Sequence, residues 1–170
     1  TVDPEVGTVH TAPAIIVGER NLKKELSDRL ALPVYVENDV VCWAMAEGVC
    51  GACEGIRDYV FITIGTGIGA CIIIDNKIYK GADLAAGEIG YMVFPEDLAC
   101  DARGRDEFGS FESRVAASAI ENDYKALVRE DIPVEEMYRR FKDPGDPEAQ
   151  KYIAKKMDYL AVGLANIITV

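Results

Sequence analysis

Residues 59–75 read YVFITIGTGIGACIIID: two runs of β-branched and aromatic residues split by Gly65-Thr66-Gly67-Ile68-Gly69. Each run is long enough for a buried strand, so the segment predicts neighbouring strands across a very short connection. A plain hairpin needs only one or two residues with positive φ. Three glycines around a threonine also allow a ligand to come close to the backbone. On this stretch alone, an ornate hairpin and a phosphate-binding loop both stand open.

The flanks extend the pattern. Asp75-Asn76, residue types that tolerate the left-handed region, predict a turn into Ile78-Tyr79 and hence three consecutive antiparallel strands. Upstream, Thr1 to Val9 reads as strand, Pro/Gly turn, strand. Asn21 is a candidate N-cap for a helix carrying Leu22, Leu26 and Leu30 on one face and stopped by Pro33. Val34-Tyr35-Val36 reads as a short β run ending at Glu37-Asn38-Asp39, followed by a helix from Val40 to about Cys50.

Between Gly81 and Gly109 no helical period is sustained, which predicts a loop. Ser110 then caps a predicted helix to about Arg129, and Val134, Met137, Tyr138 and Phe141 mark another. Asp143 to Pro147 is a break, and a last helix carries Ile153, Met157, Leu160, Leu164 and Ile167 on one stripe. The first residue is not methionine and the last lies in an apolar run, so both ends read as cut and a fragment is expected.

Charge and cysteine usage narrow the function classes. With 18 basic and 29 acidic residues the 170-residue chain carries a net charge of −11. No cluster of Lys and Arg suits a nucleic-acid backbone, so none is expected to bind through this segment. There is no 18-residue apolar run and no signal pattern, which points away from the membrane and to the cytoplasm. Five cysteines form no regular disulfide framework. Cys50-Gly51-Ala52-Cys53 has zinc or redox spacing, but it lacks a second pair and the only histidine is His10. The other reading is small buried residues at a helix end.

Four polar residues stand out. Asp39 lies where a β run turns into a helix, a common position for ligand groups in α/β folds. A carboxylate there is favoured by the helix N-terminus and can accept a proton from a hydroxyl; its other reading is an ordinary N-cap. Glu88 in GEIG and Glu112 in GSFE flank the irregular loop. Each also reads as a solvated or first-turn acid. Converging with Asn38 and Asp39 they would suit a polyhydroxylated ligand, because carboxylates accept paired hydrogen bonds from adjacent hydroxyls.

Taken in order, VDPEVGTVHTAP, LPVYVENDV, VFITIGTGIGACIIIDNKIYKGADLAAGEIGYM and FGSFES resemble the ROK family of repressors, open reading frames and sugar kinases. The collinear pieces cover about Val2 to Ser113, and the helices to Val170 are compatible. The resemblance implies an α/β actin-like ATPase (ribonuclease H-like) fold, here partial. It implies the end of a first lobe (1–56), with the catalytic base, and the start of a second (57–170), with the antiparallel meander and helices. By resemblance, Gly65, Thr66, Gly67 and Gly69 bind nucleotide phosphates through backbone N–H groups and the threonine hydroxyl. Asp39 matches the base that activates a sugar hydroxyl, and Asn38, Glu88 and Glu112 match sugar-binding positions.

Two departures bear on the site. Tyr91 stands where family members often carry a histidine that serves both sugar and a structural zinc, and is placed with the sugar-binding residues. The family's cysteine cluster is reduced to Cys100, so no zinc is expected and the loop should be held by Phe108 and Phe111. The N-terminal Asp-Gly-type phosphate motif and the C-terminal glycine-rich adenosine motif are not in this chain. The resemblance therefore implies the central part of an ATP- and Mg²⁺-dependent, glucokinase-like sugar kinase, homo-oligomeric and inactive as this piece alone. The alternative is the sugar-sensing domain of a transcriptional repressor whose DNA-binding module lies outside it.

Overall fold

The computed structural model describes residues 2–3, 6–9, 20–98 and 109–169. They group into two compact units, Thr1–Phe61 with Cys71–Tyr79, and Ile62–Ala70 with Lys80–Val170. Cys100 and Phe108 fall outside the described residues.

In the first unit, β1 (Val2–Asp3) and β2 (Thr8–Val9) pair antiparallel, Val2 opposite Val9 and Asp3 opposite Thr8. Helix α1 (Leu22–Leu30) is capped as expected, Asn21 Oδ1 accepting the Lys24 N–H at 2.9 Å. The same side chain donates to the Val6 carbonyl at 2.8 Å, so one asparagine starts the helix and ties it to the preceding turn. The helix ends at Ala31, φ 52°, two residues before Pro33. Its leucine stripe stays largely in solvent, with Leu26 40% and Leu30 57% exposed.

Val34-Tyr35-Val36 is a correction: it forms no strand, and Tyr35 is exposed. β propensity fits a residue to a ladder without supplying a neighbour to pair with. The described ladders are only β1-β2 and the meander below.

Helix α2 (Asp39–Cys50) buries Ala44 against Cys71 and Ile73, with Val40, Val41, Tyr59, Phe61 and Ile78 around them. The Tyr59 hydroxyl donates to the Ala44 carbonyl at 2.8 Å, satisfying the phenol where its ring is covered.

The opening stretch forms β3 (Tyr59–Ile64) and β4 (Ile68–Ile74), followed by β5 (Lys77–Tyr79), in the sheet order β3-β4-β5. A three-residue link between β3 and β4 permits only antiparallel pairing, since parallel strands need a crossover of a dozen residues or more. β5 returns antiparallel, Ile73 opposite Ile78 and Ile74 opposite Lys77. Asp75 (φ 53°) and Asn76 (φ 61°) make the left-handed turn predicted for them.

The second unit is mostly helical. After short 3₁₀ turns at Ile89–Tyr91 and Pro95–Leu98 come α3 (Glu112–Val115), α4 (Ala117–Val128), α5 (Val134–Lys142) and α6 (Pro147–Ile168). Ile120, Tyr124, Ile132, Met137, Phe141 and Ala149 form one core, and Ile68, Phe94, Phe111, Val115 and Ala116 a second. Phe111 is 1% exposed and stands against Gly163 of α6, where a Cβ would overlap its ring.

Three expectations change here. The helix predicted from Ser110 to Arg129 breaks at Ala116, whose ψ of 146° is extended. Ser110 does not cap it: its hydroxyl and carbonyl accept from the Arg114 guanidinium at 2.5 and 2.9 Å. That guanidinium lies 5.2 Å from the Phe94 ring centre and 5.1 Å from that of Tyr159, so a buried cation is held by aromatic faces. On α6, Met157 points out, 43% exposed, while Ala149, Lys156 and Gly163 are the buried positions.

Candidate functional site

The glycine turn between β3 and β4 divides its backbone groups by direction. The Gly65 carbonyl accepts the Ala117 N–H at 2.8 Å, and the Thr66 carbonyl accepts the Ser118 hydroxyl at 2.6 Å. The Gly67 carbonyl accepts the Gly65 N–H at 2.9 Å. All three carbonyls are thus used within the second unit. The N–H groups of Thr66 and Gly67 and the Thr66 hydroxyl donate to no acceptor among the described residues.

Space bears on glycine at position 67 but not at position 65. A Cβ on Gly65 would meet nothing within 4 Å, whereas one on Gly67 would stand 2.9 Å from Glu112 Oε2. The same oxygen accepts the Ile68 N–H at 2.8 Å, so Glu112 is fastened to the exit of the turn by its carboxylate. Gly69 lies in β4, and its carbonyl faces the Thr63 hydroxyl at 3.4 Å.

Glu88 and Tyr91 sit at the two ends of the first 3₁₀ turn, the Tyr91 N–H donating to the Glu88 carbonyl at 3.2 Å. Both side chains are exposed. Between them, buried Gly90 approaches Glu112: a Cβ there would be 3.3 Å from Glu112 Cβ. The Gly90 carbonyl accepts the Phe111 N–H at 2.9 Å. Gly109, φ 77°, is required beside it, because any Cβ would run into that same carbonyl. The structure therefore brings Glu112, the glycine turn and the Gly90 turn together within the second unit.

Asn38 and Asp39 belong to the first unit. Asn38 is the N-cap of α2, its Oδ1 accepting the Val40 N–H at 2.9 Å. Asp39, exposed at the first helical position, has Oδ1 2.9 Å from that same N–H. Asn38 holds the N-cap position and Asp39 shares its N–H from the first helical position, where anions are favoured.

The cysteines are not buried at a helix end as one reading had it. Cys50 is exposed, its thiol donating to the Ala46 carbonyl at 3.5 Å, and Cys53 is half-buried. Among the described residues no group of three or more His, Cys, Asp or Glu side chains is placed to hold a metal ion. None of their helices is long and apolar enough to cross a membrane. A cavity of about 590 Å³ in the second unit, lined by Arg114, Asp123, Tyr152, Lys156 and Tyr159 among others, contains none of the residues singled out from the sequence.

Sequence reasoning missed Ala117 and Ser118. Both lie inside what reads as one continuous helix, and only the break at Ala116 turns them toward the glycine turn.

A family model described as "ROK family" matches residues 1–170. The chain is similar to a beta-glucoside kinase of Klebsiella pneumoniae, 31% identical over 168 residues, covering 98% of this chain and 56% of that protein. It is also similar to a xylose repressor of Caldicellulosiruptor bescii, 26% identical over 185 residues, covering 99% of this chain and 45% of the repressor. Among solved structures, the ROK hexokinase of Thermus thermophilus superposes with a TM-score of 0.84 at 27% identity, over 99% of this chain and 55% of the hexokinase. The chain spans about half the length of the relatives it matches.

Proposed function

Because this chain belongs to the ROK family, we propose that it is the central part of an ATP-dependent sugar kinase that phosphorylates a hydroxyl of a hexose-like sugar. The fold is the partial actin-like α/β architecture expected of that family. The observation that carries the reading is the glycine turn. Its carbonyls are all occupied within the protein, and the N–H groups of Thr66 and Gly67 and the Thr66 hydroxyl have no acceptor among the described residues. A loop whose backbone presents donors suits the anionic oxygens of nucleotide phosphates.

Roles follow residue by residue. Gly65, Thr66, Gly67 and Gly69 bind phosphate, Gly65 leaving open space over the backbone. Asp39, exposed at the start of α2, removes the proton from the attacking hydroxyl. Asn38, Glu88, Tyr91 and Glu112 contact the sugar. Mg²⁺ enters with ATP and neutralises phosphate charge, and no zinc is required.

A second reading has one observation in its favour: repressors match the chain as extensively as kinases do. In that reading the same residues sense sugar without transferring phosphate. The test is phosphoryl transfer by the intact protein. ATP, Mg²⁺ and a panel of hexoses and β-glucosides should give sugar phosphate and ADP in equal amounts. An intact protein that binds sugar and transfers no phosphate excludes the kinase reading and leaves the sensor.

A further inference from the structure

Ser118 holds the Thr66 carbonyl, and the backbone N–H on the far side of that peptide is one of the two backbone donors of the turn with no acceptor among the described residues. A peptide unit is planar and trans, so its C=O and N–H point in opposite directions. The unit joining Gly65 to Thr66 carries the Gly65 carbonyl and the Thr66 N–H. The unit joining Thr66 to Gly67 carries the Thr66 carbonyl and the Gly67 N–H. Whatever fixes each carbonyl therefore aims the N–H on the other side.

The start of α4 fixes both. The Ala117 N–H holds the Gly65 carbonyl at 2.8 Å and the Ser118 hydroxyl holds the Thr66 carbonyl at 2.6 Å. The break at Ala116 is what allows it. Ala116 is fully buried in the core beside Val115 and Phe111, and its extended ψ of 146° redirects the chain so that α4 starts against the turn.

Such a lock matters at this place. A flip of the Thr66–Gly67 unit turns φ of Gly67, and glycine crosses between φ/ψ regions at little cost, so this unit could flip and present its carbonyl where a donor is wanted. We propose that Ser118 is a positioning residue of the phosphate-binding turn: it acts through the Thr66–Gly67 peptide to aim the Gly67 N–H at a nucleotide phosphate. The proposal rests on the phosphate-binding reading of the turn. Ser118 itself touches no substrate. Its hydroxyl spends its proton on the Thr66 carbonyl, so an alanine there would leave the carbonyl free to turn toward the phosphate side.

The experiment is nucleotide binding to the intact protein, with a non-hydrolysable β,γ-imido analogue of ATP as the probe. Affinity is read by calorimetry, and the backbone amide signals of Thr66 and Gly67 by ¹⁵N spectra. Ser118→Ala should weaken analogue binding by about 3- to 10-fold, the effect of one hydrogen bond, and should shrink the Gly67 amide response. Sugar affinity should stay at the wild-type value, and Ser118→Thr, which keeps the hydroxyl, should restore nucleotide binding. Two outcomes overturn the inference while leaving the turn as the phosphate site. In one, Ser118→Ala binds like wild type while the wild-type amides shift; in the other, it loses sugar and nucleotide together and threonine does not rescue it. Wild-type amides that fail to respond to saturating analogue overturn both the inference and the reading it rests on.

Discussion

Glu112 Oε2 accepts the Ile68 N–H at 2.8 Å, joining the first residue of α3 to the first residue of β4 across 44 positions of sequence. The bond gives one carboxylate two duties under the proposed function, since Oε2 fixes the exit of the glycine turn while Oε1 remains for a ligand. The duties separate by substitution. Glu112→Gln keeps a carbonyl oxygen for Ile68 and loses the charge, so stability should hold while sugar affinity falls by ~1–3 kcal/mol. Glu112→Ala loses both and should lower unfolding stability by ~1–3 kcal/mol as well, because the Ile68 N–H is left without its acceptor. Thermal melts with sugar calorimetry on the intact protein separate the two. Unchanged sugar affinity in the glutamine variant would leave Glu112 with the structural duty alone.

Gly163→Ala should be among the most damaging single-methyl additions in the second unit. The new Cβ would overlap three atoms of the Phe111 ring, and Phe111 is 1% exposed, packed with Phe94 at a ring separation of 5.7 Å. A ring so enclosed cannot step aside, and overpacking of this kind costs ~1–3 kcal/mol. Denaturant unfolding of the intact protein should show a lower midpoint with an unchanged slope. A midpoint at the wild-type value would mean that α6 can slide on α3 without cost.

The meander was legible because its signals are local: β-branched runs, a three-residue link and Asp75-Asn76 each dictate geometry within a few residues. The cap at Asn21 was legible for the same reason, whereas the cap of α2, read from the sequence at Asp39, lies one residue earlier at Asn38. What escaped depends on distant partners. Nothing in residues 110–129 announces a break at Ala116, because it goes with the docking of Ala117 and Ser118 onto carbonyls some 50 residues earlier. Ser110 looked like a cap until Arg114, buried between two aromatic rings, claimed its oxygens. Val34 to Val36 had strand composition and pairs with no strand among the described residues. The roles of Asp39, Asn38, Glu88 and Tyr91 came from resemblance, since local sequence suits a solvated acid or a cap equally well.

Acid stability should carry the mark of Glu136. Hydrogen bonds from Arg139 first and Arg140 second hold its carboxyl down at about 2, against an ordinary 4.5. A carboxyl lowered in the folded state stabilises above its unfolded value, and that contribution disappears as pH falls toward the folded one. Wild type should therefore melt above Glu136→Gln at pH 6, and the gap should close between about pH 4.5 and pH 2. Melting curves of the two proteins across that range test it. A gap that is constant with pH would show that the ion pairs with Arg139 and Arg140 are not what the glutamate contributes.

Asp39 is where kinase and sensor part. Asp39→Asn keeps nearly the same volume and one oxygen acceptor at the start of α2, and Asn38 continues to cap the helix, so folding should be undisturbed. An amide cannot take a proton near neutral pH. If Asp39 is the general base, sugar affinity should fall only modestly while phosphoryl transfer drops by ~10²-fold or more. The loss should be in kcat, because the proton is removed as the hydroxyl attacks, not when it binds. In a sensor the intact wild type has no sugar-dependent ATP turnover to lose, and the substitution acts through sugar affinity alone. Steady-state kinetics beside sugar calorimetry on the same preparations distinguishes these. Equal kcat in wild type and variant, with transfer intact, would remove Asp39 from the chemistry and leave it as a second polar group at a helix start.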